Sequence, residues 1–332
     1  MRFGVFCTYE NPRSDYRLCY AAQTELVRRA ELLDFDEAWI AEHHFDPDAA
    51  SPSILALLAY LAGVTTRIRL GSAAVLLAFR NPIQVAEDVA TIDLLSEGRF
   101  DFGVAKGGPF ALQNKHFLAG QNVTRDMTLE ALELVNRLLY EDRVTFSGDY
   151  YKVDEVALAP KPVQKPIPTY VATTTPAAIE YAARRGFGVM GASPFPLQRI
   201  IQLVDAYRAA APGVDPRLAL ARFYYGAPTR VEAMAEAVPF IRRFSERMSG
   251  IFLARGESAA NFNPDDIIER SLIGGFDELR DKISSLHEQT RFRSLLLKPT
   301  SLDADKNLRA LDDFANHIRP FLPASAQLEQ AS

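Results

Sequence analysis

Eight short β-rich runs, nearly all followed by a stretch of helical period, recur along the chain, and this alternation limits the fold more than any other feature. The runs are residues 1–7, 37–41, 68–77, 100–105, 169–172, 188–190, 218–225 and 294–297. Residues 20–33, 53–62, 82–95, 125–140, 176–185, 197–211, 229–248 and 276–290 read as helices, and 308–318 closes the chain. Pro239 is expected to kink the 229–248 helix. Residues 144–158 read as a hairpin turning at Ser147-Gly148-Asp149, and Pro160, Pro162, Pro166 and Pro168 then break regular structure. Strands alternating with helices specify a parallel sheet, either a closed barrel or an open doubly wound sheet. The count of eight favours a (β/α)8 TIM barrel. No Gly-x-Gly-x-x-Gly turn follows the first run, which argues against a dinucleotide-binding open sheet.

A length of 332 residues suits one domain of this kind, with bounds 1–322. Residues 249–272 lack a clean period and carry Gly, Asn and Pro; they read as an insertion before the last strand and a candidate lid. Residues 323–332 read as a flexible tail. A net charge of -5 argues against a nucleic-acid partner. No run approaches the roughly 20 apolar residues a membrane helix needs. The two cysteines, Cys7 and Cys19, and a start that reads as a strand rather than a signal peptide point to the cytoplasm.

Candidate chemistry lies where strands of a barrel end. Glu42-His43-His44-Phe45 follows the second run, and an imidazole there suits proton transfer. Neighbours on extended backbone point apart, which argues against one metal held by both rings, and no His/Cys cluster has metal spacing. Gly71-Ser72-Ala73-Ala74 is small enough for a flat ligand to reach the backbone, although on its own it reads first as barrel packing. Lys106-Gly107-Gly108 offers a cation and open N–H groups to a phosphate, or is a solvated loop. Thr173-Thr174-Thr175-Pro176 opens a helix, where capping and anion binding share one geometry. Arg125 begins a helix after the loop 110–124 and is either a surface residue or a phosphate partner. Three anion-friendly positions after the fourth and fifth strands would together make one phosphate cradle.

These stretches resemble the bacterial luciferase-like, flavin-dependent monooxygenases. The similarity runs through MRFGVF, EAWIAEHHF, LGSAAVLL, NPIQVAEDVATIDLLSEGRFDFGVAKG and YVATTTPAAIEYAARRG, in the family's order, over most of residues 1–190. The resemblance implies a TIM barrel with an FMN pocket at the strands' C-terminal ends. It implies reduced FMN supplied by a separate flavin reductase, dioxygen as co-substrate, and a small organic substrate, an aldehyde or other carbonyl compound. It places the catalytic histidine at His43 with His44 as its neighbour. It places a non-proline cis peptide between Ala73 and Ala74 against the flavin, and the phosphate region at Lys106, Arg125, Thr173 and Thr174. The sequence departs from luciferase at Ala105, where the light-emitting subunit has a reactive cysteine, at Lys106 for arginine, at Thr173 for glutamate and at Ala177 for threonine. These departures fall on the light-emitting chemistry, and the resemblance still implies flavin binding. The rival readings are a deazaflavin-dependent oxidoreductase on the same barrel and a non-catalytic flavin-binding partner subunit. The family's dimer uses the helices after strands two and three. Residues 53–62 are apolar nearly all round, so a homodimer is expected.

Overall fold

The computed structural model describes residues 1–108, 111–117 and 124–322. The expected tail at 323–332 lies outside them, as does part of the loop 110–124. In chain order the elements are β1 (Arg2–Cys7), α1 (Tyr16–Leu32), β2 (Glu37–Ile40), α2 (Ile54–Val64), β3 (Arg69–Ser72), β4 (Val75–Leu76), α3 (Pro82–Leu95) and β5 (Phe100–Ala105). There follow α4 (Ala111–Phe117), α5 (Arg125–Tyr140), β6 (Val144–Ser147), β7 (Lys152–Val156), β8 (Thr169–Ala172), α6 (Pro176–Arg184), β9 (Gly188–Gly191) and α7 (Leu197–Ala210). The last third holds β10 (Leu218–Ala227), α8 (Arg230–Leu253), α9 (Pro264–Arg270), β11 (Leu272–Gly275), α10 (Phe276–Thr290), β12 (Ser294–Pro299) and α11 (Ala304–Asp313).

The sheet closes. β1 pairs with β2, then β3, β5, β8, β9, β10 and β12 follow, and β12 returns to β1, every pairing parallel. Counting β3 with β4 as one interrupted strand, this is the eight-stranded TIM barrel, and the open-sheet alternative falls. β11 adds a parallel partner to the C-terminal half of β10, and β6 and β7 form an antiparallel hairpin apart from the barrel.

Local chemistry starts the helices. Asp15 accepts from the N–H groups of Arg17 and Leu18, Asn81 caps α3 ahead of Pro82, and Thr229 with Glu232 forms a capping box on α8. Residues 249–272, expected as an irregular insertion, hold the end of α8, an irregular stretch at 254–259, a 3-10 turn at Ala260–Phe262, α9 and the first residue of β11.

Side chains alternate across each strand, so one row per strand enters the barrel. Trp39, Ala74, Tyr170, Met190, Ala219, Ala221 and Leu296 form this inner core, and the larger outer core lies between strands and helices. Gly71 is small for packing: a Cβ there would sit 2.2 Å from the Trp39 indole. Polar groups seal the N-terminal end. Arg69 bonds Asp101 at 2.7 Å, and the buried Glu37 accepts from Trp39 at 2.7 Å and Ser294 at 2.9 Å. Among the described residues, no helix is long and apolar enough to cross a membrane.

Candidate active site

The peptide bond between Ala73 and Ala74 is cis, and here the ladder between β3 and β5 breaks. Pairing stops after Gly71 and resumes at Val75. The buried Ser72 hydroxyl fills the gap: it accepts from the Gly103 N–H at 2.8 Å and donates to the Gly103 carbonyl at 2.8 Å. Gly103 admits this because a Cβ would lie 2.0 Å from the Ser72 carbonyl oxygen.

Above this break lies a cavity of about 310 Å³. It brings together Ala73, Lys106, Arg125, Thr173 and Thr174, four elements' worth of expected ligand residues. Ala74 packs below, in the inner core. Arg125 donates to the Thr173 hydroxyl at 2.7 Å, and the same oxygen accepts from the Thr175 N–H at 3.1 Å, so α5 and the start of α6 are tied together. The sequence reading missed Arg199 on α7, which donates to the Thr174 hydroxyl at 2.8 Å and lies over the Phe195 ring. Its place one turn into the helix after strand six was the available signal. Among the described residues no carboxylate lines this cavity, whereas Lys106 and Arg125 do. Cations, hydroxyls and the N-terminus of α6 suit an anion at this end. The other end is small and apolar, with Phe6, Ala73, Met190, Ala219, Ala221 and Leu296 as walls. Such a slot fits a flat ring system that carries a phosphate tail.

The two histidines separate. His44 turns outward: its Nε2 meets Glu42 at 2.7 Å and its ring packs edge-on against Phe117. Both histidines were expected at the reacting centre; the period of two along extended chain sends His44 away. Glu42 is fully buried and also accepts from Arg80 at 2.8 Å and from the Leu76 N–H at 3.1 Å, so it braces the segment just past the cis bond. His44 borders an outer groove between α2 and α3.

His43 is held by its backbone, whose N–H donates to the Ser51 carbonyl. Burial first, then the charges of Lys298 and Arg247, push its pKa down to about 4. The imidazole is therefore neutral at physiological pH. His43 does not line the 310 Å³ cavity; its electrostatic neighbours Glu10, Arg247 and Lys298 line a second one, of about 410 Å³, and Phe6 lines both.

Lys298 was also missed. It is 4% exposed, at the C-terminal end of β12, and follows Leu296 on the inward row. Its ammonium bonds Glu10 at 2.8 Å, and Glu10 accepts from Thr8 at 2.9 Å. Arg247 reaches Asp46 at 3.3 Å and Glu10 at 4.0 Å. Burial alone would raise the Glu10 carboxyl, yet Lys298 and Arg247 hold it below its ordinary value. Burial likewise lowers the Lys298 ammonium, against the pull of Glu10. A lone Lys closing the apolar run LLLK was the sequence signal.

Known proteins share this architecture. A model of the luciferase-like monooxygenase family matches residues 1–292. The monooxygenase RslO1 from Streptomyces bottropensis superimposes with a TM-score of 0.86 at 26% identity, over 96% of this chain and 99% of that one. The alkanal monooxygenase alpha chain of the Kryptophanaron alfredi symbiont is 30% identical, over 57% of this chain and 54% of its own length. The F420-dependent glucose-6-phosphate dehydrogenase of Kineococcus radiotolerans is 33% identical, over 52% of this chain and 55% of its own. The chain thus spans about half the length of these two curated relatives. A closed barrel, the cis bond within its third strand and a family match over most of the sequence agree: the chain belongs to the luciferase-like monooxygenase family.

Proposed function

We propose that this protein is the oxygenase of a two-component system. It takes reduced FMN from a separate reductase and uses dioxygen to oxygenate a small organic substrate. The observation that carries this reading is the 310 Å³ cavity, with Lys106 and Arg125 and, among the described residues, no carboxylate at one end and an apolar slot at the other. Lys106, Arg125, Thr173 and Thr174 would hold the phosphate, and Ala73 would lie against the ring. When bound, reduced FMN supplies the two electrons that dioxygen needs. The chain's own part is fourfold. Phe6, Met190 and Leu296 keep water from the ring. Arg125 fixes the phosphate, and with it the ring's position. His43, neutral at working pH, takes or returns a proton at an imidazole nitrogen. His44 acts through Glu42, as a positioning residue for the segment after Ala74.

Calorimetric titration with FMN and with riboflavin, which lacks the phosphate, tests this. FMN is expected to bind at least about tenfold tighter, as a charge-assisted contact predicts. Arg125→Met is expected to remove most of that gap. Equal affinity for the two flavins would overturn the reading. The 33% identity to an F420-dependent enzyme supports a second reading, a deazaflavin coenzyme at the same cradle. Tighter binding of the deazaflavin than of FMN would favour it. A homodimer through the outward faces of α2 and α3 completes the proposal.

A further inference from the structure

We propose that the 410 Å³ cavity beyond Phe6 is the chamber for the organic substrate, and that it takes a neutral, largely apolar molecule whose one hydrogen-bond acceptor is held by Lys298. The proposal rests on the flavin reading above, because the chamber gains its purpose from the ring placed on the other side of Phe6.

Four observations carry it. First, the two cavities share Phe6 as a wall, so the chamber adjoins the apolar end of the flavin slot. Second, the volume falls within the range of small-molecule sites. Much of the wall is apolar, with Leu18, Ala22 and Leu26 of α1 facing Phe240 and Phe244 of α8. Third, Lys298 is placed to act on a ligand. It stands on the inward row of β12 at the barrel's C-terminal end, where barrel strands present functional groups. Its ammonium lies 5.1 Å from the Phe223 ring centre and 5.4 Å from those of Phe240 and Phe244. Of its three N–H donors, Glu10 takes one in an ordinary hydrogen bond. The aromatic faces stabilise the charge without accepting as an oxygen would. A carbonyl or ether oxygen in the chamber supplies the missing acceptor.

Fourth, charge decides against an anion. Around the inner end, Lys298 and Arg247 are matched by Glu10 and Asp46. Over the whole lining, carboxylates outnumber cations six to four. A carboxylate ligand would meet a net negative wall, and a neutral one would not.

Three molecules of near-equal shape test this: acetophenone, with a carbonyl; ethylbenzene, with no acceptor; and benzoate, with a charge. Binding is measured by calorimetry on the whole protein, with and without FMN. Acetophenone is expected to bind, with ethylbenzene and benzoate each about tenfold weaker, the scale of one buried hydrogen bond. Lys298→Met should bring acetophenone down to the level of ethylbenzene. That variant takes the ammonium from Glu10, which keeps only Thr8 and the more distant Arg247, and carries a folding cost, so Ala22→Trp, which fills the chamber from α1, is the primary variant. It should abolish acetophenone binding and leave FMN binding within about twofold. Benzoate binding as tightly as acetophenone, acetophenone undisturbed by Ala22→Trp, or no binding of any of the three would overturn the proposal. A protein that binds acetophenone in this pattern but not FMN would instead sink the flavin reading.

Discussion

His43 shows how one side chain is tuned by neighbours distant in sequence. Glu10, Arg247 and Lys298 come from three separate parts of the chain; burial, with the charges of Lys298 and Arg247, outweighs the pull of Glu10 and keeps the imidazole unprotonated down to a pH of about 4. Two outcomes follow. The acid limb of kcat/KM that belongs to this group should lie near pH 4 rather than near 6.5, the ordinary histidine value. His43→Asn should lower product formed per reduced FMN while FMN binding persists; an unchanged yield and rate would remove His43 from the chemistry. Stability obeys the same shift. Between pH 6.5 and pH 4 the unfolded chain binds a proton that the folded one refuses, so the fold weakens as pH falls through that window. Denaturant titrations across it should show a shallower loss in His43→Asn. The sequence alone marked His43 through its position after a strand, and it marked Lys106, Arg125, Thr173 and Thr174 by the same logic. It could not show Lys298, Glu10 and Arg247 meeting, because residues 10, 247 and 298 share no local pattern. It named His44 beside His43, and the alternation of extended chain that argued against a shared metal also sets the His44 ring on the outer groove.

At the scale of elements, strong periods were legible and weak ones were not. Pro82–Leu95, Phe100–Ala105, Arg125–Tyr140 and Phe276–Thr290 lie where caps and apolar spacing put them. The helix α9 escaped notice although Asn263 caps it, Pro264 opens it and Asp265 and Asp266 sit in its first turn, because seven residues are too few to show a period. Strand β11, four residues ending in Gly274-Gly275, is shorter still. The third strand was read as one run, 68–77, whereas its ladder is interrupted at Ala73 and Ala74. There Ser72 stands in for the missing backbone pairing. Ser72→Ala would leave a buried N–H and a buried carbonyl of Gly103 unpaired and should cost about 1–3 kcal/mol by equilibrium denaturation. A loss within about 0.5 kcal/mol, the range of an ordinary surface change, would show that the strand closes up without the hydroxyl.

The whole molecule is a barrel whose N-terminal end is sealed by ion pairs and whose C-terminal end holds two adjoining cavities. Helix α2 is apolar, and the monomer covers its Leu57, Leu58 and Leu61, yet Ala56, Tyr60 and Gly63 form a stripe left in solvent. A second copy meeting this stripe would bury it together with the exposed Leu94 and Leu95 of α3. Sedimentation should therefore show a dimer, and Tyr60→Glu should shift it toward monomer; a monomeric parent protein would end this expectation. Trp39 carries a consequence of another kind. It is the only tryptophan of the chain; it meets Tyr170 edge-on at 5.0 Å in the inner core that also holds Met190 and Leu296, which form the floor of the cradle guarded by Arg125. A yellow chromophore seated on that floor would drain the indole's light by resonance transfer, so the dimming of one natural lamp would count filled barrels directly, without any added label.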